Sequence, residues 1–283
     1  MTISIERAIK EGAAILREAN VEDARREAAS LLADLLERDR AFLIAHSDDF
    51  LSDLQYQTFR DLVARRARGE PLQYITGHRE FFGLDFEVSP AVLIPRPETE
   101  LVVEAAIELC RDDSAPAIAD IGTGSGCIAI SILHELKTAE AVATDISLAG
   151  LEVAQRNAER HGVDRRLTLV QSDGFRQVPA TKRFSLIVSN PPYVSDAELA
   201  EVSREVRFEP RTALAGGKDG LLIIERLLNE ARPFVRLGGY FIFEIGFGQS
   251  ELVEKLIDTE LWRPLEVRAD LQGIPRTFIL QGI

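Results

Sequence analysis

The chain of 283 residues has few cysteines and no long apolar run. Its two cysteines, Cys110 and Cys127, are too few for a disulfide framework, and we expect them to be buried, reduced thiols. No stretch approaches the roughly 20 apolar residues that a membrane helix needs. The first ten residues carry Glu6, Arg7 and Lys10 instead of the apolar core of a signal peptide. These absences exclude a disulfide-stapled scaffold and a membrane span, and they predict a cytoplasmic protein.

The chain also has few histidines and no excess of basic residues. The four histidines are scattered, and no Cys/His spacing is typical of a metal site, so no metal is expected. The formal net charge is −13. An acidic surface repels nucleic acid, because binding requires Lys and Arg to neutralise phosphates. We therefore expect no stable nucleic-acid partner, and a basic protein would be attracted instead. The protein is expected to be a monomer.

Hydrophobic residues make up 46% of the chain, and their spacing changes along it. Up to about residue 75 they recur at helical spacing with no strand pattern, which predicts a small helix bundle. The segment 81–88 alternates around a glycine and predicts a β-hairpin. Pro97 suits the first turn of a further helix, predicted over 98–111.

From residue 117 onward, short apolar runs alternate with helical patterns, which predicts a parallel, doubly wound α/β sheet. The gap between the last two predicted strands, 269–276, is too short for a crossover helix, so this pair is expected to be antiparallel. The predicted strands are 117–121, 141–144, 167–171, 185–189, 240–244, 265–268 and 277–280.

A glycine-rich segment follows the first of these strands and opens a helix. Gly122, Gly124 and Gly126 let the backbone approach a ligand closely, and the positive end of the helix favours a carboxylate. Cys127 stands where the dinucleotide fingerprint requires a glycine, so no pyrophosphate is demanded. A ligand-binding loop is the preferred interpretation, and a simple tight turn is the alternative.

Acidic residues follow the next two predicted strands. Asp145 is placed to accept hydrogen bonds from both hydroxyls of a ribose, or alternatively to cap the helix that begins near Ser147. Asp173 is placed to accept from an adenine amino group with Phe175 nearby, although a plain turn explains the same residues.

The fourth predicted strand is followed directly by the four residues Asn190-Pro191-Pro192-Tyr193. Strand ends are where α/β sheets bind ligands. The side-chain carbonyl of asparagine and the backbone carbonyl of proline accept hydrogen bonds, and tyrosine supplies a flat face. This set suits a planar NH₂ group held by two carbonyls and covered by a ring. The motif therefore indicates an enzyme that acts on an amide or an exocyclic amine nitrogen.

The order of these motifs resembles that of the S-adenosylmethionine-dependent amino-methyltransferases. Four flanking segments narrow the resemblance to the PrmC/HemK family of peptide chain release factor glutamine methyltransferases. They are Tyr-Ile-Thr-Gly at 74–77, Ile-Pro-Arg-Pro-Glu-Thr-Glu at 94–100, Phe-Glu-Pro-Arg at 208–211 and Gly-Gly-Lys-Asp-Gly-Leu at 216–221. The match spans nearly the whole chain.

The resemblance implies a seven-stranded Rossmann-like methyltransferase sheet over 98–283, a helical substrate-recognition domain over 1–73 and a β-hairpin linker over 74–97. It implies S-adenosyl-L-methionine as methyl donor and S-adenosyl-L-homocysteine as product. It also implies class I peptide chain release factors as protein substrates, methylated on the side-chain amide nitrogen, N5, of the glutamine in their Gly-Gly-Gln motif.

The resemblance also assigns roles to individual residues. Those expected to contact the cofactor are Gly122, Thr123, Gly124, Ser125, Gly126, Asp145, Asp173, Gly174, Phe175 and Asn190. Those expected to hold the substrate glutamine are Asn190, Pro191, Pro192 and Tyr193, which are also the expected catalytic set, together with Arg96 and Glu98. Family members often have an aromatic residue, which can stack on adenine, at the position where this chain has Gly174.

Other functions fit part of the pattern. An N6-adenine DNA or RNA methyltransferase would bind the same NH₂ geometry, but the acidic charge opposes it. A glutamine methyltransferase acting on a ribosomal protein would use identical chemistry. A nicotinamide oxidoreductase is disfavoured by the glycine spacing, and a non-catalytic binding module would require the site to be vestigial.

Overall fold

The computed structural model of the chain describes residues 3–283 and divides into two compact units. The first unit contains the described residues up to His78 together with Ser203–Phe208. The second contains Arg79–Val202 and Glu209–Ile283. The chain therefore passes from the second unit into the first after Val202 and returns at Glu209.

The first unit is mainly helical, as the hydrophobic spacing predicts. Its core contains fully buried Leu16, Leu31, Leu32 and Phe59. Residues 1 and 2 of the predicted bundle lie outside the described residues. The helices are α1 (Ile5–Glu18), α2 (Ala24–Leu35), α3 (Arg40–Ala45), α4 (Asp53–Ala67) and α5 (Leu72–Thr76).

Two short strands also lie in the first unit, so the expectation that it contains none is wrong. β1 (Ile3–Ser4) pairs antiparallel with β2 (Phe50–Leu51). Each strand has only two residues, too few for an alternating pattern to be recognised in the sequence. Ser4 and Ser52 then cap the helices that follow, because each side chain accepts a hydrogen bond from the first helical turn.

Arg66 ties distant segments of the first unit together. Its side chain is 3% exposed and is paired with Glu27 on α2 and with Glu205 in the segment Ser203–Phe208. A buried guanidinium requires such partners, because an unpaired charge away from water is costly. The pairing accounts for the inclusion of Ser203–Phe208 in this unit.

The predicted hairpin consists of β3 (His78–Phe81) and β4 (Leu84–Glu87), and from Arg79 onward it belongs to the second unit. Phe82 and Gly83 turn the chain with φ of 51° and 71°. This pair of positive angles is typical of tight hairpin turns. Phe81 and Phe86 are buried in the core of the second unit, so the hairpin packs with the sheet domain.

A seven-stranded sheet forms the centre of the second unit, as predicted. Its strands are β5 (Ala117–Ile121), β6 (Glu140–Asp145), β7 (Leu167–Gln171), β8 (Phe184–Ser189), β9 (Val235–Glu244), β10 (Trp262–Ala269) and β11 (Pro275–Gly282). The helices are α6 (Glu100–Cys110), α7 (Cys127–Glu135), α8 (Leu148–Arg160), α9 (Asp196–Glu201), α10 (Leu222–Ala231) and α11 (Ser250–Leu256). A 3₁₀ turn, Pro97–Thr99, precedes α6.

The strand order is β10-β11-β9-β8-β5-β6-β7. β5 pairs parallel with both β6 and β8, so the chain reverses its direction across the sheet between β5 and β8. β11 is antiparallel to β9 and to β10, which confirms the prediction from the short connection. In open α/β sheets a ligand binds outside the carboxyl ends of the strands at such a reversal.

Both faces of the sheet are covered. Along β8, Leu186 packs in one hydrophobic cluster with α6 and α7, and its neighbour Ile187 packs in another with α10 and α11. Consecutive residues therefore both avoid water, which explains why these strands appear as unbroken apolar runs. Cys110 and Cys127 are buried and unpaired, as predicted. None of the helices in residues 3–283 combines the length and apolar character that crossing a bilayer requires.

Candidate active site

A cavity of about 490 Å³ lies at the carboxyl ends of β5, β6, β7 and β8, entirely within the second unit. Segments that follow all four strands line it, and they place eleven of the predicted site residues in one cavity. These are Arg96, Gly122, Thr123, Gly124, Ser125, Asp145, Asp173, Gly174, Asn190, Pro191 and Pro192.

The glycine-rich loop forms the floor between β5 and α7. Gly122 and Gly124 have φ of 78° and 55°, and a Cβ atom added to either would meet no other atom within 4 Å. Their missing side chains therefore leave room for a ligand against the backbone. Gly126 has a different role, because a Cβ there would lie 2.7 Å from the side chain of Ile130. Gly126 serves the packing of α7 and does not line the cavity.

Asp120 anchors this loop from below. The residue is fully buried; its Oδ2 accepts hydrogen bonds from the Thr123 hydroxyl at 2.6 Å and from the Ala129 amide at 3.3 Å. Its Oδ1 has no hydrogen-bond partner among the described residues. Burial raises the pKa of this carboxyl to about 7, which the two hydrogen bonds only partly counter.

Asp145 ends β6 and holds two loops with its carboxylate. Oδ2 accepts from the amide of Gly124 and Oδ1 from the amide of Ser147, each at 2.8 Å. Ser147, not Asp145, caps α8, because its side chain accepts from the amide of Gly150. Each carboxylate oxygen has more than one acceptor position. Asp145 therefore retains capacity to bind ligand hydroxyls in the cavity.

The second of the two predicted acids is already engaged in ion pairs. Asp173 Oδ1 lies 2.6 Å from Arg226 Nη2, and its Oδ2 lies 3.2 Å from Arg176 Nη1. Gly174 lines the cavity with φ of 61°, and a side chain there would crowd Arg226. The left-handed backbone angle favours glycine at this position.

The prediction for Phe175 needs correction. The residue is 4% exposed and stacks on Phe234, with ring centroids 4.6 Å apart. It belongs to the core under α10 and is not part of the cavity lining. The sequence could not distinguish an aromatic that faces the core from one that faces a ligand, since both positions follow a strand.

Asn190 leaves β8 with its side-chain amide fixed. Its Nδ2 donates to Thr99 Oγ1 at 3.0 Å, and Thr99 Oγ1 in turn donates to Glu244 Oε2 at 2.6 Å. Tyr193 Oη donates to the other oxygen, Glu244 Oε1, at 3.0 Å. One buried carboxylate at the end of β9 therefore connects the first and last residues of the Asn-Pro-Pro-Tyr motif.

Glu244 is 1% exposed. Burial raises its pKa to about 7, opposed by the hydrogen bonds from Thr99 and Tyr193, while Glu98 raises it and Arg276 lowers it. Burial and Glu244 also raise the pKa of the Tyr193 hydroxyl, which keeps its proton to donate.

Tyr193 does not line the cavity, in contrast to the expectation that it covers a bound amide. Its carbonyl accepts from Gln249 Nε2 at 2.9 Å. The glycines of the segment 216–221 allow this arrangement, because a Cβ at Gly216 would lie 2.8 Å from the Tyr193 Cα atom. Tyr193 is therefore held from two sides.

The segment 94–100 contributes unequally to the cavity. Arg96 lines it and is paired with Glu209, whose side chain is 1% exposed and also accepts from the amide of Ile94. Glu98 is half-buried and is absent from the lining. Thr99, which was not selected from the sequence, lines the cavity and contacts Asn190 directly. Within residues 3–283, no cluster of His, Cys, Asp or Glu is arranged to hold a metal ion.

Fold and site together define a Rossmann-like methyltransferase. The methyltransferase small domain family matches residues 99–232, and the PrmC N-terminal domain family matches residues 7–77. A solved structure titled as a methyltransferase from Pyrococcus furiosus superposes with a TM-score of 0.53 at 19% identity, covering 82% of this chain and 100% of that one. This likeness supports the fold.

Full-length relatives narrow the class to one family. The release factor glutamine methyltransferase of Geobacter sulfurreducens is 46% identical, over 84% of this chain and 82% of that protein. The one of Koribacter versatilis is 40% identical, over 93% of each chain. The chain belongs to the release factor glutamine methyltransferase family, which confirms the resemblance seen in the sequence.

Proposed function

We propose that this chain transfers a methyl group from S-adenosyl-L-methionine to the side-chain amide nitrogen, N5, of the glutamine in the Gly-Gly-Gln motif of class I release factors. One observation carries the proposal. Asn190 and Pro191, which suit a planar NH₂ group, line the same cavity as the glycine loop and Asp145. The names of the family's members supply the protein substrate.

The residues of the cavity fit S-adenosylmethionine. Gly122 and Gly124 leave open space along the backbone, and Asp145 has acceptor capacity for the two hydroxyls of a ribose. Ile146, which is 59% exposed and lines the cavity, offers an apolar surface for the adenine. We keep Thr123, Ser125, Asp173 and Gly174 in the proposed cofactor site and leave out Gly126 and Phe175.

The bound cofactor supplies an electrophilic methyl group on a sulfonium. The chain's own residues position the acceptor nitrogen, whose lone pair is weakly nucleophilic because it is delocalised into the carbonyl. Asn190 Oδ1 and the backbone carbonyl of Pro191 accept its two N–H bonds and orient the nitrogen. As positive charge develops on nitrogen, these fixed acceptors stabilise it. The proton is lost after transfer, so no general base is required.

Three other residues take supporting roles. We propose that Arg96, held by Glu209, lies over the bound substrate or cofactor, and that Pro192 completes the wall beside Asn190. Tyr193 orients the motif through Glu244 and does not cover the amide. Glu98 is not retained as a substrate contact, because it does not line the cavity.

Two rival substrates remain to be tested, a ribosomal protein and the N6 amine of adenine. A net charge of −13 disfavours a nucleic acid, whose phosphates need basic partners. We further propose that the first unit recognises the release factor, and that the enzyme acts as a cytoplasmic monomer without a metal.

The experiment that tests the function supplies methyl-labelled S-adenosylmethionine with a release factor, a ribosomal protein or DNA, and locates the label. We expect the label on the glutamine of the Gly-Gly-Gln motif, identified by mass spectrometry of the digested factor. Label on a ribosomal-protein glutamine or on adenine would replace the proposed substrate.

A further inference from the structure

We infer that Thr99 and Glu244 are positioning residues that set which end of the Asn190 side-chain amide faces the target nitrogen. The inference rests on the proposed function, because it specifies how Asn190 becomes an acceptor. Glu244 ends β9 and Thr99 immediately precedes α6, so two separate elements converge on one motif.

The direction of the hydrogen bonds follows from counting protons. An ionised carboxylate only accepts hydrogen bonds, so Glu244 Oε2 accepts the one hydrogen bond that the Thr99 hydroxyl can donate, over 2.6 Å. Thr99 Oγ1 then has only lone pairs to offer the amide of Asn190, 3.0 Å away. The amide must present its NH₂ group to Thr99. Oδ1 is therefore the atom left to accept from the target glutamine.

Tyr193 supports this arrangement. Its hydroxyl donates a hydrogen bond to Glu244 Oε1, so both carboxylate oxygens accept hydrogen bonds from hydroxyl groups. The charged groups that act on Glu244 are Glu98 and Arg276, and the buried thiol of Cys127 also senses its charge. Among the described residues no basic side chain forms an ion pair with Glu244, so hydrogen bonds from the two hydroxyl groups satisfy its carboxylate.

Protonation of Glu244 reverses the chain of donors. A proton on Oε2 would be donated to Thr99 Oγ1, and the hydroxyl proton of Thr99 would turn toward Asn190. The amide would then have to rotate and present NH₂ to the substrate, where an acceptor is needed. We therefore expect kcat to rise with pH as Glu244 ionises, with a midpoint near 7, where burial places its pKa.

The kinetic test uses three variants of the full-length enzyme with a release factor as substrate. Thr99→Val keeps the shape and removes the hydroxyl, and we expect kcat to fall roughly 10–100-fold with an unchanged Kd for S-adenosylmethionine. Thr99→Ser restores the hydroxyl and should retain most of the activity. Glu244→Gln should lose the rise of kcat near pH 7. Equal activity of the Val and Ser variants, or an unchanged pH profile in the Gln variant, would overturn the inference.

A second measurement does not depend on turnover. The side-chain NH₂ resonances of Asn190, followed by ¹⁵N NMR in the wild-type chain, should shift with a midpoint near pH 7. The shift should be absent in Thr99→Val and Glu244→Gln. Resonances that do not titrate in the wild type would overturn the network even if the enzyme is active. If the Asn190 resonances titrate but the enzyme methylates no release factor, the proposed function is wrong and the positioning network stands.

Discussion

In the proposed mechanism Asn190 acts through a single oxygen, so replacing its side chain should separate catalysis from cofactor binding. We expect Asn190→Ala to lower kcat at least about 100-fold, because a fixed acceptor for the developing charge is lost. The Kd for S-adenosylmethionine should change little, since the glycine loop and Asp145 remain. Single-turnover methylation and calorimetric titration measure the two quantities.

Asn229 provides the matched control for this change. It is an exposed asparagine on α10 whose amide donates to the carbonyl of Glu225, outside the cavity. Asn229→Ala should leave both kcat and Kd unchanged. Near-normal turnover by Asn190→Ala would remove Asn190 from the mechanism.

Gly220 is required by contact as well as by backbone angle. Its φ is 78°, and an added Cβ would lie 2.3 Å from the carbonyl oxygen of Tyr193 and 2.5 Å from Gln249 Nε2. Gly220→Ala should therefore break the bond between Gln249 and Tyr193 and loosen the motif. We expect a lower kcat and a loss of unfolding free energy well above the roughly 1 kcal/mol typical of a strained angle alone.

Gly248 separates the two causes. Its φ is 74°, but a Cβ there would meet no other atom within 4 Å. Gly248→Ala should cost only the strain and leave kcat intact. Urea unfolding and steady-state kinetics of both variants provide the comparison, and equal losses in the two would show that crowding at Tyr193 is irrelevant.

Among the elements, β5 makes the stability of the fold depend on pH, because it carries the buried Asp120. Asp120 has a pKa of about 7 in the folded chain, above the ordinary value of 3.8. Between these values the folded state binds a proton that the unfolded state lacks, so stability falls as pH rises through this window. Glu244 acts in the same direction.

Asp120→Asn should remove the contribution of Asp120. Relative to wild type, the variant should gain about 2–3 kcal/mol of unfolding free energy between pH 5 and pH 8, because each pH unit with one extra bound proton contributes about 1.4 kcal/mol. Urea titrations at both pH values measure it. The quantity to compare is the free energy of unfolding of the variant minus that of the wild type, because acids with lowered pKa values, such as Glu70, shift stability in the opposite direction in both chains. A constant difference between variant and wild type would show that Asp120 is ionised throughout.

The strands of the seven-stranded sheet were predictable because strands that are buried on both faces appear in the sequence as short apolar runs. All seven appear within a few residues of the predicted bounds, although β9 begins at Val235 and the predicted strand at residue 240. Gly238 and Gly239 broke the apolar run there. The cavity was predictable for a related reason, since loops that follow parallel strands must meet at one edge of the sheet.

Contacts between distant segments were not predictable in the same way. Thr99 and Glu244 are separated by 145 positions, and neither neighbouring sequence shows that the two oxygens meet. An acid at the end of a buried strand was visible at Glu244, but its partners depend on how α6 packs. The prediction for Phe175 was wrong for the same reason, because the orientation of its ring is set by stacking on Phe234, which lies on a distant segment.

At the scale of the whole molecule, the chain itself links the segment after the Asn-Pro-Pro-Tyr motif to the helical unit. The stretch Ser203–Phe208, which follows Tyr193 after α9, belongs to the first unit, where Arg66 pairs with Glu205. Deleting the first unit would therefore also strip this stretch of its partners. A test of substrate recognition should use point substitutions on the surface instead.

Three exposed apolar side chains make such a test possible. Ile44, Phe50 and Leu54 are 79%, 67% and 74% exposed and lie within one short stretch of the first unit. If this unit recognises the release factor, replacing the three with serine should raise KM for the intact protein about tenfold, since buried apolar anchors dominate such interfaces. The KM for S-adenosylmethionine and the methylation of a short peptide that carries the target glutamine should not change.

Leu237 supplies the control for exposure alone, because it is 83% exposed but lies on β9 in the second unit. Leu237→Ser should leave every one of these constants unchanged, and thermal unfolding should confirm that all variants fold. A peptide that loses activity in parallel with the intact factor would place the effect in the cavity and not in docking. An unchanged KM for the intact factor in the triple variant would show that this surface does not contact the substrate.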